Sequence, residues 1–385
     1  MAALMLGLAA AFLWLALHPF TTFPLSLRWL AGRGVGWPGA GVVDVASTRP
    51  LTFAVFTCAY NEERVIEAKI RNLLSLRERH PALEILVYVD AASDRTAAIC
   101  EQYAGQISLH VSQNRNGKTH GMNLLVRQSQ ADILIFTDAN VMLAPDVIER
   151  AEAHFGDPDV GCVCGNLTYV NADASVTARS GSLYWRIEEA IKRLESATGG
   201  VIGADGSLFA MRRSLHRPPP DHIIDDFYLS LMVMCQGARV VQALDVKAFE
   251  ETVAVSSEEF RRKIRIACQA FNVHRLLWPR IARLDALTVY KYVSHKLLRW
   301  LSIFSLAAAL IFAMLGAAIG GWWLLAALLA LGPVVVWAFG SRWPVRPFPQ
   351  IYDILSAFAG TGIGVWRSLQ GERFQTWAPA ASLRK

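Results

Sequence analysis

Two adjacent carboxylates, Asp225 and Asp226, open a segment whose continuation, FYLSLMVMCQG, predicts a helix. Neighbouring carboxylates repel one another, and partial burial of both raises the pKa of one of them. A carboxylate with a raised pKa suits a general base, which must accept a proton near neutral pH. Alternatively, the carboxylates cap the helix N-terminus and interact favourably with the helix dipole, a role that fits Asp225 well. The pattern favours Asp226 as the base.

A second motif, Asn116-Gly117-Lys118, predicts a basic turn that opens a helix. The free N–H groups of a helix N-terminus together with a lysine form a phosphate site. The motif is too short for a Walker loop, which needs Gly-x4-Gly-Lys-Ser/Thr. A solvated turn lysine is the alternative that these three residues leave open.

Polar residues also follow two apolar runs. Asp90 ends the run ILVYVD, and an ionised carboxylate buried there is costly unless it meets a donor or a ligand. Accepting hydrogen bonds from the base or ribose of a nucleotide would satisfy it, as would capping the next helix. Tyr60, Asn61 and Glu62 follow the other run. An aromatic ring with acceptors suits a nucleobase, and Asn61 can cap the following helix as well.

These residues need a scaffold that brings the ends of strands together. Apolar runs rich in Val, Ile and Phe predict strands over 51–60, 85–90, 107–112 and 133–139. Strands that alternate with helical segments indicate an α/β fold with a mostly parallel sheet and flanking helices. Ligands of such sheets bind at the carboxyl ends of the strands, which is where Tyr60, Asp90 and Asp138 fall.

Six motifs occur in order along the chain: FTCAYNEE (56–63), VYVDAASDRT (87–96), RNGKTHGMN (115–123), IFTDAN (135–140), GADGS (203–207) and IIDDFYLS (223–230). Over residues 51–270 the set resembles the catalytic domain of the family-2 glycosyltransferases. These are inverting enzymes of the GT-A fold that act in polysaccharide and glycolipid synthesis. The resemblance implies that Asp226 is the general base and that Tyr60, Glu62 and Asp90 bind the donor nucleotide.

The resemblance also implies a metal site. Asp138-Ala139-Asn140 stands where the family has Asp-x-Asp, a pair that holds a divalent cation bridging the two phosphates. Mg²⁺ and Mn²⁺ prefer oxygen ligands, and Mg²⁺ commonly uses one or two carboxylates plus phosphate oxygens. Asn140 departs from the stricter pattern because its amide oxygen ligates without charge. A turn-capping asparagine is the alternative at that position.

Further positions follow from the resemblance. Lys118 would lie near the diphosphate, and Asp205, Gly206 and Asp225 would line the pocket for the sugar and the acceptor. Arg265 matches the arginine of the Gln-x-x-Arg-Trp motif of processive relatives, where clustered guanidinium groups suit a diphosphate. The glutamine and tryptophan positions of that motif hold Arg262 and Ile266, which weakens any case for long-chain polymerisation. An amphipathic basic helix on the membrane surface is the alternative.

Composition predicts membrane association. Of the 385 residues, 53% are hydrophobic and 18% are charged, which is apolar for a soluble enzyme. Residues 2–27 and 301–340 contain no Asp, Glu, Lys or Arg. One span needs about 20 apolar residues, so the first stretch predicts one anchor and the second predicts two spans that turn at Gly320-Gly321. A cleaved signal peptide is the alternative for the first stretch, although its start lacks basic residues.

The predicted domains are a transmembrane anchor (1–30), a GT-A domain (51–285), two transmembrane helices (296–340), and an interfacial or re-entrant helix with a tail (348–385). Basic residues flank the apolar segments, so the positive-inside rule places the GT-A domain and the C-terminus in the cytoplasm of a multi-pass cell-membrane protein. The net charge of +6 suits phosphate-bearing substrates and an anionic membrane, and it is spread too thinly for nucleic acid.

The sequence thus predicts transfer of a sugar, with inversion, from a nucleotide-diphosphate donor to a membrane-associated acceptor that is lipid-linked or a polysaccharide. A uridine-linked donor is expected. Mg²⁺ or Mn²⁺ at Asp138 and Asn140 would stabilise the departing diphosphate, helped by Lys118 and Arg265. Two alternatives stay open: a catalytically inactive nucleotide-sugar-binding module of the same fold, and a nucleotidyltransferase.

Overall fold

A computed structural model describes residues 1–37, 50–170, 176–250, 256–340 and 348–376, with backbone only at 176–186, 256–259 and 349. Eight strands form one sheet: β1 Phe53–Ala59, β2 Glu84–Asp90, β3 Ser108–Ser112, β4 Ile133–Asp138, β5 Met142–Leu143, β6 Val160–Tyr169, β7 Leu208–Arg212 and β8 Arg239–Glu250. Their order across the sheet is β3-β2-β1-β4-β7-β6-β8-β5.

The sheet has a parallel half and a mixed half. β3, β2, β1 and β4 all pair in parallel, as predicted. β7 runs antiparallel to both β4 and β6, β8 runs parallel to β6, and β5 runs antiparallel to β8. The prediction of a mostly parallel sheet therefore holds for the half that carries the first four motifs, and the whole sheet is mixed.

The described α-helices are α1 Ala2–Leu17, α2 Thr22–Gly32, α3 Ile66–Arg79, α4 Thr96–Glu101, α5 Lys118–Gln128, α6 Val147–Phe155, α7 Val176–Ala197, α8 Asp225–Cys235, α9 Ser256–Ile281, α10 Ala286–Tyr292, α11 Leu298–Trp300, α12 Ser302–Ile319, α13 Trp323–Gly340 and α14 Phe348–Leu369. A single π-helical turn, Val293–Leu297, joins α10 to α11, and short 3₁₀ turns lie at His18–Phe20 and Arg213–Leu215.

Alternation along the strands divides the apolar core between the two faces of the sheet. Phe56 and Phe136 stack with ring centroids 5.3 Å apart on the face that Leu125 of α5 covers. Val55, the neighbour of Phe56 in β1, packs on the opposite face with Ile70 of α3. Every residue of β1 is buried. Burial of this apolar area is the main favourable term that fixes the strands, and with them the polar residues at their ends.

The register of the parallel strands brings those ends to one edge. Cys58 of β1 lies opposite Tyr88 of β2 and Asp138 of β4. The first residues beyond β1 and β2 that turn the chain include Asn61 and Ala91, both in the left-handed region at φ 52° and 51°. That conformation is uncommon for residues other than glycine. Two sharp turns therefore begin at the edge where ligands bind in α/β sheets.

Three of the described helical segments are long and apolar enough to cross a membrane: Ala2–Phe20, Ser302–Ile319 and Trp323–Gly340. α1 packs on α12, where Phe12 and Phe312 stack at 5.6 Å. The turn between α12 and α13 lies at Gly320-Gly321, as expected, with Gly321 at φ 78°. α13 has no buried residue. α14 is not among the three segments and packs along α9. The end of the predicted tail, 377–385, lies outside the described residues.

Candidate active site

The adjacent carboxylates begin α8, as the sequence predicts. Asp225 is 3% exposed, and its Oδ2 is buried without a hydrogen-bond partner. Asp226 accepts a 2.6 Å hydrogen bond from the N–H of Phe227 through Oδ1. Burial, and then repulsion from Asp225, raise the pKa of Asp226 to about 7, although Lys118 acts in the opposite direction. Asp226 is therefore a carboxylate that can exchange a proton near neutral pH.

Lys118, the first residue of α5, contacts the Asp138-Ala139-Asn140 motif at the end of β4. Its Nζ donates a 2.6 Å hydrogen bond to Oδ1 of Asp138. Burial lowers the pKa of Lys118, but the charges of Asp138, Asp225 and Asp226 outweigh burial and raise it above its ordinary value. The lysine is therefore a permanent cation among three carboxylates, and its contact with a diphosphate stays a prediction.

The GADGS loop closes over this cluster. A Cβ built on Gly206 would lie 2.6 Å from Oδ2 of Asp226 and 3.4 Å from Nζ of Lys118. Only a residue without a side chain allows the backbone to come this close to the carboxylate. Asp205 forms an ion pair with the buried Nζ of Lys192 in α7. Asp205, Gly206 and Asp225 thus lie around the proposed base, where the sequence places a sugar and acceptor pocket.

Asp90 is fully buried, and donors of the protein meet its charge. Its carboxylate accepts hydrogen bonds from Nε of Arg115 (3.1 Å), the N–H of Asn116 (2.8 Å) and the N–H of Gly117 (3.1 Å). Burial of the charge is therefore compensated within the protein. Asp90 holds the basic turn in place, and its direct contact with a nucleotide stays a prediction.

The turns after β1 and β2 lock together beside this site. The Asn61 side chain exchanges hydrogen bonds with Ser93, whose N–H donates to Oδ1 at 2.7 Å. The N–H of Glu62 donates to Oγ1 of Thr96 at 2.7 Å. The guanidinium of Arg115 lies 3.2 Å from the centre of the Tyr60 ring, a cation–π contact. Tyr60 and Glu62 are thus held on a rigid rim at the expected edge.

Arg265 approaches the same cluster from α9. Burial and the neighbouring Arg262 lower the pKa of Arg265, while Asp138 and Asp226 raise it by a smaller amount. The guanidinium therefore lies within the electrostatic reach of both carboxylates. Arg265 is thus a second cation, after Lys118, whose charge acts on Asp138 and Asp226.

The residues at the end of β4 suit a hard divalent cation. Asp138 is 41% exposed, which leaves its carboxylate open to a ligand, and Asn140 adds a neutral amide that donates through Nδ2 to Oε1 of Glu250 at 2.9 Å. Within the described part of the chain, no three His, Cys, Asp or Glu side chains lie close enough together to hold a metal ion by themselves. One carboxylate and one amide fit a cation that takes its other ligands from phosphate oxygens and water.

The sequence analysis did not identify a buried lysine that contacts the residues on both sides of the turn formed by Asp138, Ala139 and Asn140. Lys69 of α3 is fully buried and donates to Oγ1 of Thr137 (3.1 Å) and to the carbonyl oxygen of Val141 (2.5 Å). Burial lowers its pKa to about 7. Lys69 thus ties together the two ends of the turn that carries Asp138 and Asn140. Its position in an amphipathic helix gave no indication of this role.

The C-terminal segment is the second element that the motifs did not reveal. Gln375 donates through Nε2 to the carbonyl oxygen of Asn116 at 3.0 Å, and Gln269 of α9 holds the Phe374 carbonyl oxygen at 2.7 Å. Gly117 has φ 90°, and a Cβ there would overlap the carbonyl oxygen of Gln375. The segment after α14 therefore lies directly on the basic turn. The two partners are 259 positions apart in the sequence, so no local pattern links them.

Residues 54–217 match the family model described as glycosyl transferase family 2. An N-acetylglucosaminyltransferase of Rhizobium leguminosarum bv. viciae is 23% identical over 264 residues, which cover 63% of this chain and 61% of that protein. A hyaluronan synthase of Streptococcus pyogenes is 23% identical over 275 residues, 68% of this chain and 64% of that protein. The chain thus spans less than two thirds of the length of either relative.

A solved structure gives the likeness in three dimensions. The mannosyltransferase PcManGT from Pyrobaculum calidifontis, in complex with GDP-Man and Mn²⁺, superposes with a TM-score of 0.70 at 22% identity, over 96% of this chain and 99% of that one. At this identity the likeness concerns the fold. Together with the matched family model, it shows a glycosyl transferase family 2 domain over residues 54–217 in a chain with the GT-A fold.

Proposed function

We propose that the protein transfers a sugar, with inversion, from a nucleotide-diphosphate donor to a lipid-linked or polysaccharide acceptor at the membrane. One observation carries the proposal. A carboxylate with a pKa of about 7, Asp226, lies in the same cluster as Lys118 and the exposed Asp138. A base, a permanent cation and a ligand for a divalent metal are the groups that such a displacement requires.

We expect the donor to bind in two parts of the site, with its diphosphate at the cations and its nucleoside at the rim that contains Tyr60. Lys118 and Arg265 would bind the diphosphate, because Lys118 pairs with Asp138 and the charge of Arg265 acts on the same carboxylate. Tyr60, Glu62 and Asp90 would bind the nucleoside on the rim formed by the turns after β1 and β2. We propose a uridine-linked donor. The structural neighbour was solved with a guanosine-linked sugar, so both bases belong in the test.

The chemical step needs one proton acceptor and one stabilised leaving group. Asp226 would remove the proton of the acceptor hydroxyl as its oxygen forms a bond to the anomeric carbon. The bond from that carbon to the diphosphate oxygen breaks at the same time, and the electron pair leaves with the nucleoside diphosphate. Lys118 and Arg265 would neutralise the developing charge in a site where water is partly excluded. Attack opposite the departing group inverts the anomeric configuration.

Asp138 and Asn140 would hold Mg²⁺ or Mn²⁺, as the oxygen donors of this turn suit either ion. When bound, the cation would supply Lewis-acid stabilisation of the diphosphate oxygens. The residues themselves do two things. Asp138 provides the ionised ligand, and Lys69 fixes the turn from behind through Thr137 and Val141.

The acceptor side is proposed to open towards the membrane. In the sequence, the proposed catalytic domain lies between one N-terminal and two C-terminal helical segments that are long and apolar enough to cross a bilayer. Arg28 and Arg33 follow the first segment, and Lys296 and Arg299 precede the second. By the positive-inside rule, the domain and its donor would lie in the cytoplasm of a multi-pass cell-membrane protein.

A screen of radiolabelled nucleotide sugars with native membranes tests the proposal. Uridine- and guanosine-linked donors are supplied in parallel, and label is followed into lipid and polymer fractions. We expect release of the nucleoside diphosphate and transfer of label, both lost in Asp226→Asn. Release of pyrophosphate would instead indicate a nucleotidyltransferase. Tight donor binding without turnover for every donor would indicate an inactive binding module.

A further inference from the structure

The carboxylate of Glu250, in the mixed half of the sheet, accepts a hydrogen bond from the side-chain amide of Asn140. Nδ2 of Asn140 donates to Oε1 of Glu250 at 2.9 Å. An ionised carboxylate only accepts hydrogen bonds, and an asparagine amide offers one donor group and one acceptor oxygen. Glu250 therefore selects the nitrogen of the amide as its partner, and the oxygen is left as the atom available to a cation.

The position of Glu250 is set by the sheet rather than by a loop. Glu250 is the last residue of β8, and its backbone pairs with Tyr169 in β6. Its carbonyl oxygen accepts a hydrogen bond from the N–H of Val170 at 3.0 Å. On the other side of β8, Phe249 pairs with Met142, two residues after Asn140. Strand pairing on both sides thus brings the carboxylate to the turn and holds it there.

We propose that Glu250 is a positioning residue for the divalent-cation site. By holding the Asn140 amide through its nitrogen, it presents the amide oxygen as the second protein ligand, beside the ionised ligand Asp138. The inference rests on the metal role proposed above for Asp138 and Asn140. An amide that turns freely offers its NH₂ group as readily as its oxygen, and an NH₂ group does not ligate a hard cation. Partners of this kind fix the orientation of the ligand in metal sites.

Aspartate and asparagine differ in their need for such a partner. Both oxygens of an aspartate can ligate, so an Asp-x-Asp turn works in either orientation of the second side chain. The asparagine of this chain works in only one orientation. Glu250 should therefore be important when residue 140 is asparagine and dispensable when it is aspartate. A merely structural link between β8 and the turn would not show this dependence.

The test measures binding of Mn²⁺ alone to the full chain in detergent, by the electron paramagnetic resonance signal of free Mn²⁺. Glu250→Met removes the acceptor, and we expect the affinity to fall about tenfold or more. Glu250→Gln keeps an acceptor oxygen but can also present its NH₂ group to Asn140, so we expect a loss of affinity smaller than that of Glu250→Met. Asn140→Asp combined with Glu250→Met should bind Mn²⁺ at least as well as Asn140→Asp alone, because an aspartate at position 140 needs no partner and Glu250 would only repel it. Thermal unfolding without metal shows that each variant is folded.

The possible failures point to different errors. If Asp138→Ala binds Mn²⁺ as the original chain does, or if the original chain binds none, the proposed metal site is wrong and the role of Glu250 falls with it. If Asp138→Ala loses Mn²⁺ but Glu250→Met does not, only the role of Glu250 is wrong. A loss in Glu250→Gln equal to that in Glu250→Met would also overturn it, since the acceptor oxygen at position 250 would then contribute nothing. So would a loss in Glu250→Met that Asn140→Asp fails to restore.

Discussion

Replacing the proposed base with its isosteric amide should abolish transfer and stabilise the fold. The pKa of Asp226 rises from 3.8 to about 7 on folding. The folded chain therefore binds this proton more tightly than the unfolded chain, and stability falls as the pH rises from about 4 through 7. The corresponding penalty is about 2 kcal/mol at pH 5 and about 4 kcal/mol at pH 8. These are upper limits, because water reaches part of the side chain.

Asp226→Asn removes this penalty, because the amide carries no charge and its oxygen can still accept from the N–H of Phe227. We expect turnover to fall by about 10²–10⁴-fold, while the melting temperature rises at pH 8 and rises less at pH 5. Tryptophan fluorescence during heating of the full chain in detergent measures both shifts, and release of nucleoside diphosphate measures turnover.

Asp245→Asn is the matched control, with the opposite sign. Burial raises the pKa of Asp245, but its side-chain hydrogen bond with His154, a backbone hydrogen bond and nearby positive charges outweigh burial and lower it. This carboxylate stabilises the fold above its ordinary pKa, and the contribution is lost as the pH falls. Asp245→Asn should therefore have a slightly lower melting temperature than the original chain at pH 8 and an unchanged turnover. Two results would show that folding does not raise the pKa of Asp226: a melting temperature of Asp226→Asn at pH 8 no higher than that of the original chain, or an increase in melting temperature at pH 5 as large as that at pH 8.

Two further predictions concern the site, and a third concerns the topology of the chain. The value of kcat/KM should rise about tenfold per pH unit below pH 7 and level off above it, because the ionised form of Asp226 is the active one; a flat profile from pH 5 to 8, measured by product release, would contradict this. Gly206→Ala places a methyl group 2.6 Å from Oδ2 of Asp226 and should lower kcat by up to about 10²-fold, because the methyl group displaces the base. The control Gly105→Ala, where a Cβ meets no atom within 4 Å, should leave kcat unchanged. Equal kcat values for the two variants would show that close packing of Gly206 against Asp226 does not matter for turnover. On a cysteine-free background, Gly320→Cys should react with a membrane-impermeant maleimide in intact cells and Ser257→Cys only after permeabilisation, and the reverse pattern would place the catalytic domain outside.

Local patterns predicted the parallel half of the sheet and its polar edge. Apolar runs with turn motifs at their ends depend only on neighbouring residues, and the four strands β1 to β4 lie where those runs are. The pair at the start of α8 was predictable for the same reason, since the motif and the helix start coincide. Burial first, and then the expected repulsion from Asp225, raise the pKa of Asp226.

The remaining parts of the site depend on pairings that a linear pattern does not contain. Glu250 reaches Asn140 only because β8 pairs with both β5 and β6. The antiparallel insertion of β7 between β4 and β6 decides which strands are neighbours in that half of the sheet. Gln375 lies on the basic turn because α14 packs along α9. Long-range register, rather than residue type, determines these contacts.

The anomeric configuration of the transferred sugar tests the central claim most directly. Proton nuclear magnetic resonance of the product formed from an α-linked nucleotide sugar resolves the coupling of the anomeric proton. A single displacement with Asp226 as base predicts a β-linked product and one equivalent of nucleoside diphosphate, with neither formed by Asp226→Asn. An α-linked product, or turnover that survives this substitution, would contradict the account.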